Sequence, residues 1–136
     1  MIDRINFSLI PSVAMFCNAS VATFLVFASH RGLGSDVEYQ RDVKPILTKY
    51  CVGCHNEKEN ESEVQLQTLA NIRRGGPKGA VVVAAEAGES SLLKVMQGLQ
   101  EPKMPPEEFP QPTAAEVLIV QKWIELGANG SDEQLT

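Results

Sequence analysis

The chain has 136 residues, with 17 acidic and 12 basic side chains and a formal charge of −5. That length allows one domain, with or without a targeting segment. The acidic balance argues against nucleic acid as a partner, because phosphate contacts need clustered Lys or Arg, and it favours a protein partner with a basic surface.

Residues 1–35 hold only Asp3, Arg4 and Arg31 as charged groups, and from Asp36 onward sixteen acids meet ten bases. The first stretch reads as a signal peptide. Arg4 gives a charged start, Val21–Ala28 is the apolar part, and Val26 with Ala28 places a cut near Ser29. Gly32 and Gly34 offer a second cut before Ser35. The alternative is an uncleaved N-terminal membrane anchor, although Asn6, Ser8, Pro11, Ser12, Asn18 and Ser20 are polar for a spanning helix. Cys17 follows the bulky Phe16, so it reads as an ordinary residue of this segment and not as a lipidation site. Either reading puts the rest of the chain outside the cytoplasm, in the periplasm.

Asp42 can cap a helix to about Tyr50, with Pro45 in its first turn and Val43, Ile46, Leu47 and Tyr50 on one face. Residues 57–63 (EKENESE) read as a solvated loop. A short helix is expected over Val64–Arg73, followed by a turn forced by Gly75, Gly76, Pro77 and Gly79. Ala80–Ala85 (AVVVAA) reads as a buried extended piece with no evident partner strand. Ser90 or Ser91 can cap a helix to about Leu99, with Leu92, Val95, Met96 and Leu99 as its apolar stripe. Five prolines between residues 101 and 112 exclude helix and sheet there. The last helix has the clearest signals: Thr113 and Glu116 form a capping box and Gly127 a stop, with Val117, Val120 and Ile124 on one face beside Trp123. The chain after Ala128 reads as a frayed tail. The expected fold class is all-α, with long irregular loops.

The chemistry is concentrated in Cys51-Val52-Gly53-Cys54-His55. C-x-x-C-H is the pattern of covalent haem c attachment. On a helical turn the two thiols lie on one side, where they reach the two vinyl groups of a porphyrin, and His55 falls beneath the iron. Gly53 leaves room for the macrocycle. Other readings are a Cys51–Cys54 disulfide, which leaves His55 unexplained; a thiol-redox site, which wants a βαβ context; and a zinc site, which wants four ligands.

His30 lies near the expected cut, so Met96 and Met104 are the remaining soft donors for a second axial position. Met96 sits on a helical stripe and reads first as core. Met104 lies in Pro102-Lys103-Met104-Pro105-Pro106, where the flanking prolines reduce the entropy lost in holding a thioether on iron. A His55/Met104 pair would close the iron and suit it to outer-sphere electron transfer. Arg73, Arg74 and Lys78 read as solvated charges more than as partners for haem propionates.

Val37–Ala128 resembles the planctomycete-type cytochrome c domain, a class I-like monohaem family. The resemblance is carried by Arg41–Leu47, Cys51–His55, Gly75-Gly76, Gly79-Ala80, Gly88 with Ser91–Leu93, Lys103–Pro106, and Trp123-Ile124 with Gly127-Ala128. It departs at Ser62–Leu66, where the family often has Gly-Gly-Leu, and at Ala84 or Ala85, where a proline is common. The resemblance implies one covalent haem c packed between the first and last helices, with Met104 as distal ligand and maturation outside the cytoplasm. Members are often fused to larger modules; none occurs in these 136 residues, so the expectation is a free carrier or one acting through a separate partner.

The expected organisation is a signal peptide or anchor over 1–35, a cytochrome c domain over 36–130 and a flexible tail over 131–136. The expected function is single-electron transfer between redox proteins, not enzymatic catalysis. The alternative is a haem subunit, small haem enzyme or sensor with an open or displaceable distal ligand.

Overall fold

The computed structural model describes residues 37–132. The signal-peptide or anchor reading of residues 1–35, Cys17, His30 and tail residues 133–136 lie outside them. The described residues contain helices and turns but no strand, in agreement with an all-α fold.

The first helical run starts earlier than the sequence suggests. A π turn over Tyr39–Val43 leads into α1, Lys44–Tyr50. Glu38 is the cap: its carboxylate accepts from the Arg41 N–H at 3.2 Å, and Asp42 reaches back to accept from the Glu38 N–H at 2.8 Å. Asp42 therefore serves the helix start from inside the first turn. Pro45 has no N–H to give to the carbonyl four residues back, and the wide turn falls at this join, with the Lys44 N–H closing onto Tyr39 O. Tyr39, Val43, Ile46 and Leu47 are buried.

α2 spans Leu69–Arg74, beginning only where Thr68 accepts from the Asn71 N–H. Val64–Gln67, expected within this helix, is irregular, because the Leu66 N–H donates to His55 O at 2.9 Å. At Gly75 φ is +73°, and a Cβ there would lie 2.4 Å from Gly79 O, so this turn requires glycine. Ala80–Ala85 is not the buried extended piece expected: only Val81 is buried, and Ala84 and Ala85 are exposed. Its backbone groups find a side chain and the backbone of two helices as partners instead of a strand. The Val83 N–H donates to Ser90 Oγ, the Ala85 N–H to Ile124 O, and Val81 O accepts from Leu92 N–H.

α3 spans Ser91–Met96 and stops short of Leu99, which is 75 % exposed. Ser90 is the first flanking residue, but its hydroxyl is used by Val83 and Glu86 and does not cap the helix. Leu92, Leu93 and Met96 are buried. α4 spans Ala114–Glu125 with the expected Thr113–Glu116 capping box, and the chain turns away at Gly127, φ +96°. Val120, Trp123 and Ile124 fill the core, with Trp123 stacked obliquely on Tyr39 at 5.6 Å between ring centroids.

The described part of the tail is tied down. Trp123 Nε1 donates to Asn129 O, Gln40 Nε2 to Ser131 O, and the Asp132 carboxylate accepts from the Leu69 and Ala70 N–H groups that open α2. Gly130 is pressed against Tyr39, where a Cβ would come within 2.5 Å of the tyrosine Cβ. Ser131 and Asp132, which the sequence assigns to the loose tail, are thus held by side-chain bonds. Among the described residues no helix is long and apolar enough to cross a membrane.

Candidate functional site

α1 ends at Tyr50, and the chain makes one more helical turn through the cysteine motif. The Cys51 N–H donates to Leu47 O, and the His55 N–H to Cys51 O, both at 2.9 Å. Asn56 clamps this turn, its amide donating to Val52 O at 2.8 Å and Gly53 O at 3.0 Å. Cys51 is buried and Cys54 exposed, and neither is in a disulfide. The apolar surroundings push the Cys51 thiol up to about 11, so it stays protonated at neutral pH.

His55 is oriented by its own loop. Nδ1 lies 3.1 Å from Glu61 O and 3.3 Å from Val64 O. Carbonyls only accept, so Nδ1 carries the proton and Nε2 keeps the free lone pair. This is the arrangement of an imidazole prepared to bind a metal.

Cys51, Cys54 and His55 line one cavity of about 790 Å³ together with Met96 and Met104. Its walls come from the end of α1, the loops at 53–55, 62–66 and 76–81, α3, and the proline loop. Many lining side chains are apolar, Leu66, Val81, Leu92 and Val95 among them. The volume lies within the range of roughly 300–1,000 Å³ of small-molecule and cofactor pockets. Gly53 also faces this space, and a Cβ there would meet no protein atom within 4 Å. Two thiols, an oriented imidazole and thioether sulfurs around an apolar cavity fit a haem c. Among the described residues no group of three or more His, Cys, Asp or Glu could hold a metal ion, so the zinc reading has no ligand set there.

Met104 is half-buried, and its N–H donates to Val95 O at 3.0 Å, which ties the proline loop to α3. Gln111 supports the loop from the other side: its Nε2 lies within 3.1 Å of the carbonyls of Pro105, Pro106 and Phe109. Sequence reasoning overlooked this residue. The signal was present, because a proline-rich run has many carbonyls and few N–H groups, so an amide side chain within it is a natural donor. Met96 is buried on α3 as the stripe predicts.

A second connection was also missed. Tyr50 Oη donates to Glu116 at 2.9 Å and Lys49 Nζ lies 3.3 Å from the same carboxylate. The start of α4 is thereby fastened to the residue just before Cys51. The Thr113 backbone N–H first, then its hydroxyl, Tyr50 and Lys49, outweigh partial desolvation and hold the Glu116 carboxyl down to about 2.

One implication of the resemblance needs correction. The cavity does not lie between the first and last helices, since no residue of α4 lines it. The buried face of α4 is used against the π turn, α3 and the turn at Ala87–Glu89, so α4 backs the site without forming its wall. Of the three cations considered for propionates, Lys78 lines the cavity, Arg74 donates to Gln65, and Arg73 borders a separate small cavity beside Trp123.

Residues 51–108 match the family model of planctomycete cytochrome C. The resemblance read from the sequence therefore stands over the segment from Cys51 through the Met104 loop. No curated protein and no solved structure matches the chain. The match points to a haem c-binding electron carrier outside the cytoplasm and not to an enzyme, with Cys51 and Cys54 inside the matched residues.

Proposed function

We propose that this member of the planctomycete cytochrome C family over residues 51–108 is a monohaem carrier that passes single electrons between redox proteins. Cys51 and Cys54 would form the two thioethers, and His55 and Met104 the axial pair. The observation that carries the reading is the convergence of these four side chains on one largely apolar cavity.

A haem bound there supplies one-electron Fe(III)/Fe(II) chemistry. The residues do the rest. The carbonyls of Glu61 and Val64 hold the proton of His55 on Nδ1 and fix the ring. The apolar side chains lining the cavity, Leu66, Val81, Leu92 and Val95 among them, would limit water around a bound haem. Were His55 and Met104 both to hold the iron, they would leave no open position for oxygen or peroxide chemistry. The absence of bond-making keeps the reaction to electron exchange with a partner. We further propose that residues 1–35 direct export to the periplasm, leaving the domain free or anchored.

The test is the haem-matured protein itself. Intact mass should show the polypeptide, cut near Ser29 or Ser35 or uncut, plus one haem. The reduced spectrum should be low-spin, and the ferric form should show a weak band at the red end that disappears in Met104→Ala. A high-spin ferric spectrum, with rapid cyanide binding at neutral pH, would replace this reading with the open-iron alternative.

A further inference from the structure

The described domain is unevenly charged around its cavity. Residues 57–63 hold four acids against Lys58, and residues 101–109 hold three against Lys103. Everywhere else between 37 and 132, seven acids meet eight bases. The net negative charge of the domain therefore resides in two loops. Both border the same cavity: Ser62 and Glu63 line it from one side, and Glu101, Met104–Pro106, Phe109 and Pro110 from the other, with Glu107 and Glu108 exposed in the same loop.

The proline-loop side also exposes apolar surface. Phe109 lines the cavity mouth and is 51 % exposed. Leu99, next to the lining residue Gln100, is 75 % exposed. These are two of the four large apolar side chains exposed among the described residues, and the other two, Leu118 and Leu126, belong to the α4 region away from the cavity. Isolated exposed leucines are ordinary. An apolar spot at the opening of the cavity, set in a loop with three acids against one lysine, has the anatomy of a transient protein interface.

We infer that the Leu99–Phe109 edge of the cavity, with Glu101, Glu107 and Glu108 around it, is the docking surface for a redox protein that presents an apolar spot ringed by Lys or Arg. The inference rests on the electron-carrier reading above and adds where and to what the carrier binds. Charge chooses the occupant. The edge repels an acidic partner, including a second copy of this chain, and it draws in a basic one at rates that salt suppresses. Lys103 tempers the field by pairing with Glu107 at 3.7 Å, but Glu108 makes no ion pair among the described residues.

The test uses the reduced, haem-loaded protein in stopped flow. Three oxidants are compared at low and high salt: ferricyanide, a tris(phenanthroline)cobalt(III) cation and a lysine-rich cytochrome c. Glu107→Gln/Glu108→Gln should slow oxidation by the cobalt cation and the basic cytochrome about threefold or more at low salt, and speed oxidation by ferricyanide, with both effects fading at high salt. Phe109→Ser should slow only the basic cytochrome. Glu125→Gln, on the outer side of α4, should change none of the three. Equal effects of Glu125→Gln and the loop variants, or a basic cytochrome rate indifferent to both loop variants, would overturn the docking surface while leaving the carrier intact. Failure of the wild-type protein to exchange electrons with any of the three would instead overturn the carrier reading.

Discussion

The wall that carries His55 is fastened to its own backbone at each step, whereas Met104, on another part of the cavity lining, is tied through one backbone bond to α3. On the first wall, helical-turn bonds run from Leu47 through Cys51 to His55, Asn56 clamps the motif, and two carbonyls fix the imidazole. On the second, Val95 O accepts from the Met104 N–H, and Gln111 gathers three loop carbonyls. The first wall derives its rigidity from sequence-local geometry; the second depends on a few contacts and on proline stiffness. If a haem is held as proposed, the first wall would fix it and the second would be the easier of the two to move.

The largest effect should come from the rigid wall. Cys51→Ala/Cys54→Ala removes both thioether positions, and the intact mass should fall to that of the polypeptide with no haem retained after denaturation. Retention of covalent haem would move the attachment elsewhere.

The two methionines break the comparison at the adjustable wall. Met104→Ala should keep covalent haem, lose the red-end ferric band and admit added imidazole or cyanide. Met96→Ala should keep the band but lower unfolding free energy by about 2–5 kcal/mol, because Met96 is buried on α3. The reverse pattern would transfer the distal sulfur from the loop to the helix. Gln111→Ala is gentler. Its two N–H groups make hydrogen bonds worth about 1 kcal/mol net each, and about 2 kcal/mol together amounts to about thirtyfold in the equilibrium for loop opening. Cyanide should bind the ferric protein faster by a comparable factor with the spectrum unchanged, as stopped-flow mixing would show.

The rigid wall was legible in the sequence because its causes are local. C-x-x-C-H, the Thr113–Glu116 box and the Gly75–Gly79 turn each carry their geometry within five residues. What escaped was set by contacts between distant residues. Glu38 took the capping role expected of Asp42 once Tyr39 was drawn into the core beside Trp123. The AVVVAA piece has no strand to join, so its backbone turned to Ser90 and Ile124. The position of α4 behind the cavity followed from how much of its apolar face Tyr39 and its neighbours consume, which periodicity alone does not reveal. Asp132 lies 63 residues from the α2 start that it serves.

The smallest predicted effect probes the base of the rigid wall. Glu116 joins the start of α4 to Tyr50, the residue before Cys51, and Glu116→Gln keeps the shape while removing the charge. The folded protein holds this carboxyl at about 2, below its ordinary value of 4.5. A depressed acid stabilises the folded state above its unfolded value, and that contribution is lost as pH falls through the folded one. The wild type should therefore outlast the variant in denaturant at pH 7, and the gap should close between about pH 4.5 and 2. Lys49 is mostly exposed, so salt should narrow the gap only slightly and the Thr113 and Tyr50 bonds should account for most of it. The red-end ferric band should be unaffected at neutral pH, since Glu116 is bonded to Tyr50, Lys49 and Thr113 and not to the Met104 loop. A gap as wide at pH 2 as at pH 7 would mean that the carboxylate charge plays no part in fastening α4 to the residue before the Cys51–His55 turn.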